Sequence, residues 1–253
     1  MKAMIKKQYT TFAEFYDEMM DNIPYYEWES YLLQLLYLNN AKPDAKVLEL
    51  GCGTGTMTQL MRSDGFDVTG VDISEEMIRL AKQKCPSASL KQMDMRELML
   101  DKTFDVAICV CDGMNYMENV TDLSKVMKGV YEVLSPGGIF IFDLKTEYLF
   151  KHIIKNRTFR GRGQGYSYVW KNFYTEDSRL HIYDVFIKHR LPNGKIVSEN
   201  EVHKQHVFTA SEIKEAAIFG GFRSAKVYGD MTLEKPRKNS ERIYLVLNKK
   251  DQC

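Results

Sequence analysis

Apolar runs of strand length alternate with amphipathic helical segments through much of the chain. The runs with strand character are KVLEL, DVTGVD, FDVAICV and IFIFDL, separated by segments such as TMTQLMR and SEEMIRLAKQK. The helical segment before IFIFDL carries its apolar residues at helical spacing, at Leu123, Val126, Met127, Val130 and Leu134. Strands that alternate with helices form a parallel sheet with helices on both faces. The pattern therefore predicts an α/β core.

The first 40 residues are predicted to be helical instead. Leu32, Leu35 and Leu36 lie at helical spacing, and Asn39 followed by Pro43 ends the pattern. We expect residues 1–40 to form a helical cap on the core.

A different rhythm begins after residue 150. Three long strand-like stretches follow one another, YSYVWKNFY, RLHIYDVFIKHR and KIVSENEVHKQHVF, and a Pro-Asn-Gly turn at residues 192–194 joins the last two. This pattern predicts an antiparallel β insertion over residues 151–206. Residues 160–165, Arg-Gly-Arg-Gly-Gln-Gly, have the composition of a mobile loop. A helix from Thr209 and the strands FRSAKVYGD and RIYLVLNK complete the core, which comprises residues 41–150 and 207–253.

Charge and cysteine content restrict the classes of partner. The 253 residues carry 35 basic and 34 acidic side chains, so no strong positive field would attract a nucleic acid. The five cysteines include no C-x-x-C pair, and no other metal-binding spacing occurs. The sequence also has no long uncharged apolar run. We therefore expect a cytoplasmic protein that binds neither nucleic acid nor membrane and holds no metal.

A glycine-rich turn carries the strongest chemical signal. It follows the run KVLEL and reads G-C-G-T-G, with glycines at 51, 53 and 55. Glycines allow a backbone to approach a ligand closely and to adopt conformations that other residues avoid. The next strand ends in Asp72, near the distance of about 20 residues at which such folds place a carboxylate on a ribose.

A nicotinamide dinucleotide site is the alternative for this turn. Such sites require G-x-G-x-x-G, in which the middle glycine makes room for a pyrophosphate at the helix N-terminus. The sequence has G-x-G-x-G instead, and this spacing disfavours a dehydrogenase.

The motif E-L-G-C-G-T-G, followed by V-D-I-S, resembles the class I S-adenosylmethionine-dependent methyltransferases. The resemblance implies a Rossmann-like, doubly wound and mostly parallel sheet of seven strands, with S-adenosylmethionine as the cofactor. It also implies that the methionine and ribose parts are held by Glu49, Gly51, Gly53, Gly55 and Asp72. The residues implied beside the adenine are Ile73, Asp94 and Met95. Cys111 and Asp112 end the next core strand, at the edge where parallel sheets bind ligands, and Cys111 is a further candidate for a cofactor contact.

The N-terminal segment indicates a narrower kinship. Its motifs Y-x-x-F-A-x-x-Y-D and P-Y-x-x-W are similar to those of small bacterial methyltransferases with a β insertion, related to aminosugar N-methyltransferases and glycine N-methyltransferase. N-terminal aromatic residues fold over the cofactor in those relatives, which implies cofactor contacts for Tyr9 and Trp28. The alternative is that Tyr9, Tyr16 and Trp28 only pack an amphipathic helix on the core.

One face of a predicted strand in the insertion carries the candidate catalytic residue. Glu201, His203 and Gln205 share that face because side chains alternate along a strand. If the face covers the cofactor, His203 could orient an acceptor or take its proton, since imidazole titrates near neutral pH. If the face is solvated, the three residues have no chemical role. We expect the insertion to close over the same pocket as the N-terminal aromatics and to act as a substrate lid.

These features predict an enzyme that transfers a methyl group to a nitrogen or oxygen of a small molecule by direct displacement. The lid and the aromatic N-terminus would enclose a pocket, whereas a macromolecule would need an open face. The N/D-P-P-Y signature of DNA amino-methyltransferases does not occur in the sequence. A non-catalytic protein that binds S-adenosylmethionine or S-adenosylhomocysteine on the same fold is the alternative.

The glycine spacing makes a direct prediction about ligand choice. NAD should not displace S-adenosylhomocysteine from the protein, because the turn lacks the glycine that admits a pyrophosphate. Competition calorimetry measures this. Displacement by micromolar NAD would restore the dehydrogenase interpretation.

Overall fold

Two β-sheets and six α-helices make up the part of the chain that the computed structural model describes, residues 4–6 and 8–250. The strands are β1 (Met4–Lys6), β2 (Lys46–Leu50), β3 (Asp67–Asp72), β4 (Ser89–Gln92), β5 (Phe104–Cys109), β6 (Leu134–Lys145), β7 (Thr158–Gly163), β8 (Tyr166–Thr175), β9 (Leu180–Arg190), β10 (Ile196–His206), β11 (Ala225–Gly229) and β12 (Arg242–Asn248). The helices are α1 (Thr11–Met19), α2 (Tyr25–Leu38), α3 (Thr56–Ser63), α4 (Glu75–Lys84), α5 (Val120–Val133) and α6 (Ala210–Phe219). Residues 1–3 and 7 of the predicted cap, and 251–253 of the predicted core with Cys253, lie outside the described residues.

The larger sheet has seven strands in the order β11-β12-β6-β5-β2-β3-β4. The pairs from β6 through β4 are parallel, whereas β12 runs antiparallel to both of its neighbours. The predicted Rossmann-like, mostly parallel sheet is therefore confirmed. The chain enters the sheet at β2 and later returns on the other side of it at β5, so the strand order reverses there. Open α/β sheets bind ligands outside the carboxyl ends of their strands at such a reversal.

Helices cover both faces of this sheet. On one face α5 and α6 bury a cluster that includes Phe104, Phe142 and Phe222. On the other face α2 and α3 pack against β2 and β12 through residues such as Leu35 and Tyr244. Burial on both faces explains why the core strands are almost continuously apolar in the sequence. Among the helices of the described residues, none has both the length and the apolar character needed to cross a membrane.

The smaller sheet contains the insertion and has the order β1-β10-β9-β8-β7. The strands β7 to β10 are antiparallel, and β1 from the N-terminus adds to the edge in parallel with β10. The turn predicted at residues 192–194 joins β9 to β10, where the Leu191 amide donates to the Lys195 carbonyl oxygen at 2.8 Å. The sequence predicted three of these strands but neither β1 nor β7.

The prediction of a mobile loop at residues 160–165 was wrong for its first four residues, which belong to β7 and pair with β8. Glycines recur there because aromatic rings from β8 lie across the strand. A Cβ atom at Gly161 would lie 2.4 Å from the Tyr168 ring, and one at Gly163 would lie 2.3 Å from the Tyr166 ring. Glycine in a strand often marks such a close approach, although its composition suggests a loop.

The insertion is joined to the core through Asn115, in a 3₁₀ helix at Gly113–Tyr116. Its fully buried amide donates to the carbonyl oxygens of Lys145 and His206, at 3.2 and 2.8 Å, and accepts from the Lys145 amide at 2.9 Å. These bonds connect the end of β6 to the end of β10. A second connection is the two-pronged ion pair between Arg179 and Glu212 of α6, at 2.5 and 2.6 Å.

Replacing Asn115 tests this junction. Asn115→Ala would leave one buried donor and two buried acceptors without their partner, and an unsatisfied buried group costs about 1–3 kcal/mol. We expect the free energy of unfolding to fall by about 2–4 kcal/mol in urea denaturation. Asn239→Ala, at an exposed position in the loop before β12, is the matched control. A loss equal to that of the control would contradict the role assigned to Asn115.

Candidate active site

The glycine turn lies at the carboxyl end of β2 and leads into α3. Gly51, Gly53 and Gly55 all have positive φ values, of 66°, 53° and 82°. Gly55 also packs closely, because a Cβ atom there would lie 3.1 Å from the Cβ of Ala81 in α4. Gly51 and Gly53 line the two cavities beside the turn, and Gly55 packs on α4. The cofactor contact expected for Gly55 stays a prediction.

Asp72, the last residue of β3, ties the glycine turn to the next loop. Its carboxylate accepts a hydrogen bond from the Gly53 amide at 2.9 Å and another from the Ser74 amide at 2.8 Å. Burial raises the pKa of Asp72, although the two amides oppose that shift. A carboxylate has about four acceptor sites, so two of them remain for a ligand's hydroxyl groups.

A cavity of about 210 Å³ opens beside Asp72. Its apolar wall consists of Ile73, Met77, Met93, Met95 and Met117. Asp94 also lines this cavity, but its carboxylate makes a two-pronged pair with Arg96, at 3.0 Å to Nε and 2.6 Å to Nη2. Burial alone would raise the pKa of Asp94, yet Arg96 holds it below its usual range. Arg96 was not predicted from the sequence, since nothing in its spacing separates it from a solvated arginine.

Glu49 lies in β2 directly below the glycine turn and is 2% exposed. Its carboxylate accepts a hydrogen bond from the Thr58 hydroxyl. Burial raises the pKa of Glu49 to about 8, against the opposing effect of Thr58, and the charge of Asp72 adds to the rise. A cation bound beside this group would favour its ionised form.

Glu49 lines a narrow cavity that joins two larger ones. Tyr16 and Cys111 line this narrow cavity, the cavity beside Asp72, and a third one under the insertion. Cys111 follows β5 with a positive φ of 63°. The three cavities thus adjoin one another at Tyr16 and Cys111, and together they are here called the cleft, which lies along the carboxyl ends of the core strands and under the insertion.

The third cavity, here called the inner pocket, has a volume of about 90 Å³ and a largely aromatic wall. That wall comprises Tyr9, Phe12, Tyr16, Tyr25, Trp28, Tyr116, Trp170 and Tyr183. The rings come from the N-terminal helices, from the 3₁₀ helix and from the insertion sheet. The inner pocket is therefore enclosed by the two parts of the chain that the sequence placed outside the core.

A network of charged residues forms the polar side of the inner pocket. Asp112 accepts hydrogen bonds from Lys145 at 2.8 Å, from Gln205 at 2.5 Å and from Arg242 at 3.3 Å. Arg242 also pairs with the buried Asp143. Burial opposes ionisation of Asp112, but the charges of Lys145 and Arg242 hold its pKa below the usual range. Of these five residues, the sequence pointed to Gln205 by its strand face and to Asp112 by its place at the end of a core strand. The other three lie at the carboxyl end of β6 or at the start of β12.

The face with Glu201, His203 and Gln205 is buried, so the alternative of a solvated face is wrong. The exposed fractions of the three residues are 1%, 2% and 1%. The His203 ring lies 4.7 Å from the Tyr9 ring, centroid to centroid. Its Nδ1 is 3.3 Å from the Tyr116 hydroxyl and its Nε2 is 3.5 Å from a carboxylate oxygen of Glu201. His203 thus borders the inner pocket, where the sequence placed a candidate base.

Tyr9 and Trp28, the two predicted aromatic contacts to cofactor, lie in different places. Tyr9 lines both the cavity beside Asp72 and the inner pocket, and its carbonyl oxygen accepts a hydrogen bond from the Ser74 hydroxyl at 2.7 Å. Trp28 lines only the inner pocket, and its ring lies under the Arg242 guanidinium at 4.7 Å. The cofactor contact expected for Trp28 therefore stays a prediction. Burial of Leu32 and Leu35 on the sheet places this turn of α2 beside the start of β12.

Comparison with known proteins extends these observations. Residues 47–138 match the model of a family described as a methyltransferase domain. YqeM of Bacillus subtilis strain 168, described as a putative methyltransferase, is 32% identical over 246 residues, which cover 95% of this chain and 97% of that protein. A dTDP-4-amino-2,3,4,6-tetradeoxy-D-glucose N,N-dimethyltransferase of Saccharopolyspora spinosa is 31% identical over 102 residues, 40% of this chain and 41% of the relative.

A solved structure is similar over almost the entire length. The crystal structure of an S-adenosylmethionine-dependent methyltransferase from Clostridium acetobutylicum ATCC 824 has a TM-score of 0.82 and 26% identity, and the match covers 96% of this chain and 99% of that one. The fold, the motifs at the sheet edge and these matches agree. The chain belongs to the class I S-adenosylmethionine-dependent methyltransferases, and it is an enzyme that uses S-adenosylmethionine as its cofactor.

Proposed function

We propose that the enzyme transfers the methyl group to a nitrogen or oxygen atom of a small molecule held in the inner pocket. The observation that carries the proposal is that the insertion and the N-terminal helices enclose this pocket. The pocket also adjoins the cavity of the glycine turn, and Cys111 lines both. An enclosed volume of about 90 Å³ admits a small acceptor group and excludes a folded macromolecule. The similarity to an aminosugar N,N-dimethyltransferase supports a small-molecule amine among the candidates.

The cleft has the chemical character that the cofactor requires. We assign its ribose to Asp72, which keeps free acceptor sites, and its adenine to the apolar wall with Ile73 and Met95. Asp94 borders the same wall and serves as its polar anchor. Gly51 and Gly53 allow close approach of the backbone. Tyr9 and Cys111 border the route to the inner pocket.

Glu49 completes the assignment in the narrow cavity between the two larger ones. Its buried carboxyl group faces the space where the methionine part would place its ammonium group. Bound S-adenosylmethionine supplies a methyl group that is already activated. The residues of this chain therefore contribute alignment, exclusion of water and proton transfer.

Each of these contributions has a structural source. The aromatic wall of the inner pocket excludes water, which strengthens every electrostatic interaction inside it. The network around Asp112 fixes Lys145 and Arg242, so both side chains present constant geometry to an acceptor. His203, through Nδ1 or through the Tyr116 hydroxyl, takes the proton that the acceptor loses.

The ribose assignment leads to a prediction for cofactor affinity. Asp72→Ala removes a charge-assisted hydrogen bond worth roughly 1.5–3 kcal/mol, so S-adenosylhomocysteine should bind at least tenfold more weakly in calorimetry. Asp67→Ala, at the exposed opposite end of the same strand, is the matched control and should bind normally. Equal affinities of the two variants would refute the assignment.

The function itself is tested with methyl-labelled S-adenosylmethionine and a metabolite extract. A small molecule should acquire the label, and turnover on that molecule should fall by 10²- to 10⁴-fold in His203→Ala while affinity for S-adenosylhomocysteine stays nearly unchanged. His152→Ala, an exposed histidine outside the cleft, serves as control. Label that appears only on macromolecules would rule out the proposal, and full activity of His203→Ala would leave the enzyme without its base.

A further inference from the structure

One buried carboxylate contacts both the N-terminal helix and the candidate base. Oε1 of Glu201 accepts hydrogen bonds from the Phe12 amide at 2.9 Å, the Thr10 hydroxyl at 2.9 Å and the Thr10 amide at 3.2 Å. The first amides of a helix have no partner within the helix. The Thr10 side chain makes no capping bond to α1. Glu201 therefore caps α1 from a strand of the insertion, and its negative charge suits the positive end of the helix dipole.

The second oxygen of this carboxylate faces His203. Oε2 lies 3.5 Å from Nε2 of His203, and neither atom has a hydrogen-bond partner among the residues whose side chains are described. Burial would raise the pKa of Glu201, but the neighbouring His203 ring and the hydrogen bonds from Phe12 and Thr10 hold this pKa below its usual range, so the group is ionised at neutral pH. An ionised carboxylate only accepts hydrogen bonds. The proton of neutral His203 is thus favoured on Nε2, which leaves the Nδ1 lone pair towards the Tyr116 hydroxyl.

The same helix is tied to the cofactor side of the cleft. The Ser74 hydroxyl donates to the Tyr9 carbonyl oxygen, directly before the residue that Glu201 holds. Farther along α1, Asp17 accepts hydrogen bonds from Thr54 of the glycine turn at 2.5 Å and from Lys84 at 2.7 Å. A continuous set of contacts therefore runs from the glycine turn, through the N-terminal segment, to Glu201 and His203.

We propose that Glu201 is a positioning residue that couples closure of α1 over the cleft to the tautomer of His203, with one carboxylate oxygen for each task. When α1 is closed, Glu201 is held by the helix amides and fixes His203 as a proton acceptor at Nδ1. When α1 opens, the carboxylate loses those donors and the orientation of His203 is released. The use of this coupling in catalysis rests on the proposed function, in which His203 is the base. The coupling between the cap of α1 and the His203 tautomer does not depend on that role.

The substitution Glu201→Gln separates the two tasks. Its amide oxygen can still cap α1, but its amide nitrogen is a donor that faces Nε2 and favours the tautomer with the proton on Nδ1. We expect the affinity for S-adenosylhomocysteine to stay within about threefold of the wild type, and the His203 tautomer to switch in ¹⁵N spectra of the full chain labelled at histidine. His203→Asn assigns the resonance among the five histidines.

The substitution Glu201→Ala removes both the cap on α1 and the carboxylate that faces His203. Glu176→Gln removes neither and serves as the matched control. With no cap on α1, Glu201→Ala should bind S-adenosylhomocysteine three- to tenfold more weakly, and its His203 should populate both tautomers. Glu176, in the turn between β8 and β9, pairs with Lys151 and Lys155 at a partly exposed position, and its variant should match the wild type in both measurements.

Two results would overturn the coupling. An unchanged His203 tautomer in Glu201→Gln would remove the orienting task, and a wild-type affinity in Glu201→Ala would remove the capping task. If Glu201→Ala fails to fold, Glu201→Gln still tests whether Glu201 orients His203. The affinity of Glu201→Gln for S-adenosylhomocysteine then tests whether an amide oxygen is enough to cap α1. If His203→Ala is fully active while Glu201→Gln still switches the His203 tautomer, His203 is not the base, and the coupling through Glu201 stands.

Discussion

The hydrogen bonds from Gly53 and Ser74 to Asp72 are the interaction on which the rest of the cleft depends. They join the loop after β2 to the loop after β3 across neighbouring parallel strands. Because Ser74 also holds the Tyr9 carbonyl oxygen, the position of the N-terminal segment is set by the same carboxylate. A parallel sheet makes this possible, since it brings the carboxyl ends of sequence-distant strands to a single edge. The cavity beside Asp72 and its cover thus share one support.

The buried charges under the insertion hold a strained turn in place. A buried ion pair adds little to stability because desolvation offsets its attraction. Cys111 and Asp112 also both have positive φ values, of 63° and 59°, a conformation that costs of order 1–3 kcal/mol for such residues. The bonds of Asp112 to Lys145, Gln205 and Arg242 hold this strained turn in place. Under the proposed function, strain and buried charge in this one turn serve to present Lys145 and Arg242 to an acceptor.

The sequence predicted the elements that depend on a local pattern, and it missed elements that depend on contacts between strands. The core strands and the start of a helix at Thr209 depend on local pattern, and the structure contains both, with Thr209 and Glu212 forming a capping box. The edge strand β1 arises only because the N-terminus meets β10, and no periodicity within three residues could indicate it. For β7, glycines that accommodate tyrosine rings have the same composition as a loop.

The predicted site shows the same division. Asp72 and the glycines could be found by spacing because a single turn and the next strand position them. The polar face of β10 could be recognised by its period, but whether it is buried depends on α1, which lies almost 200 residues away in sequence. For Trp28 the sequence gives the buried face of a helix but not the direction in which the helix crosses the sheet, so the cavity that this ring lines was not predictable. Arg96, Lys145 and Arg242 were missed because an isolated basic residue is most often solvated.

The cover of the cleft is also the part of the molecule that is least able to stand alone. The helix α1 has nine residues, and isolated helices shorter than about 12–15 residues are marginal in water. Its order therefore depends on contacts to other segments: the aromatic cluster with Tyr166 and Tyr183, the Asp17 contacts, and the cap from Glu201. Segments held in this way open at a lower free energy than a core sheet. The inner pocket must open to exchange its ligands, and α1 is the part of its wall that depends most on contacts with other segments. Under the coupling proposed for Glu201, exposure of the pocket and the fixed tautomer of His203 exclude each other.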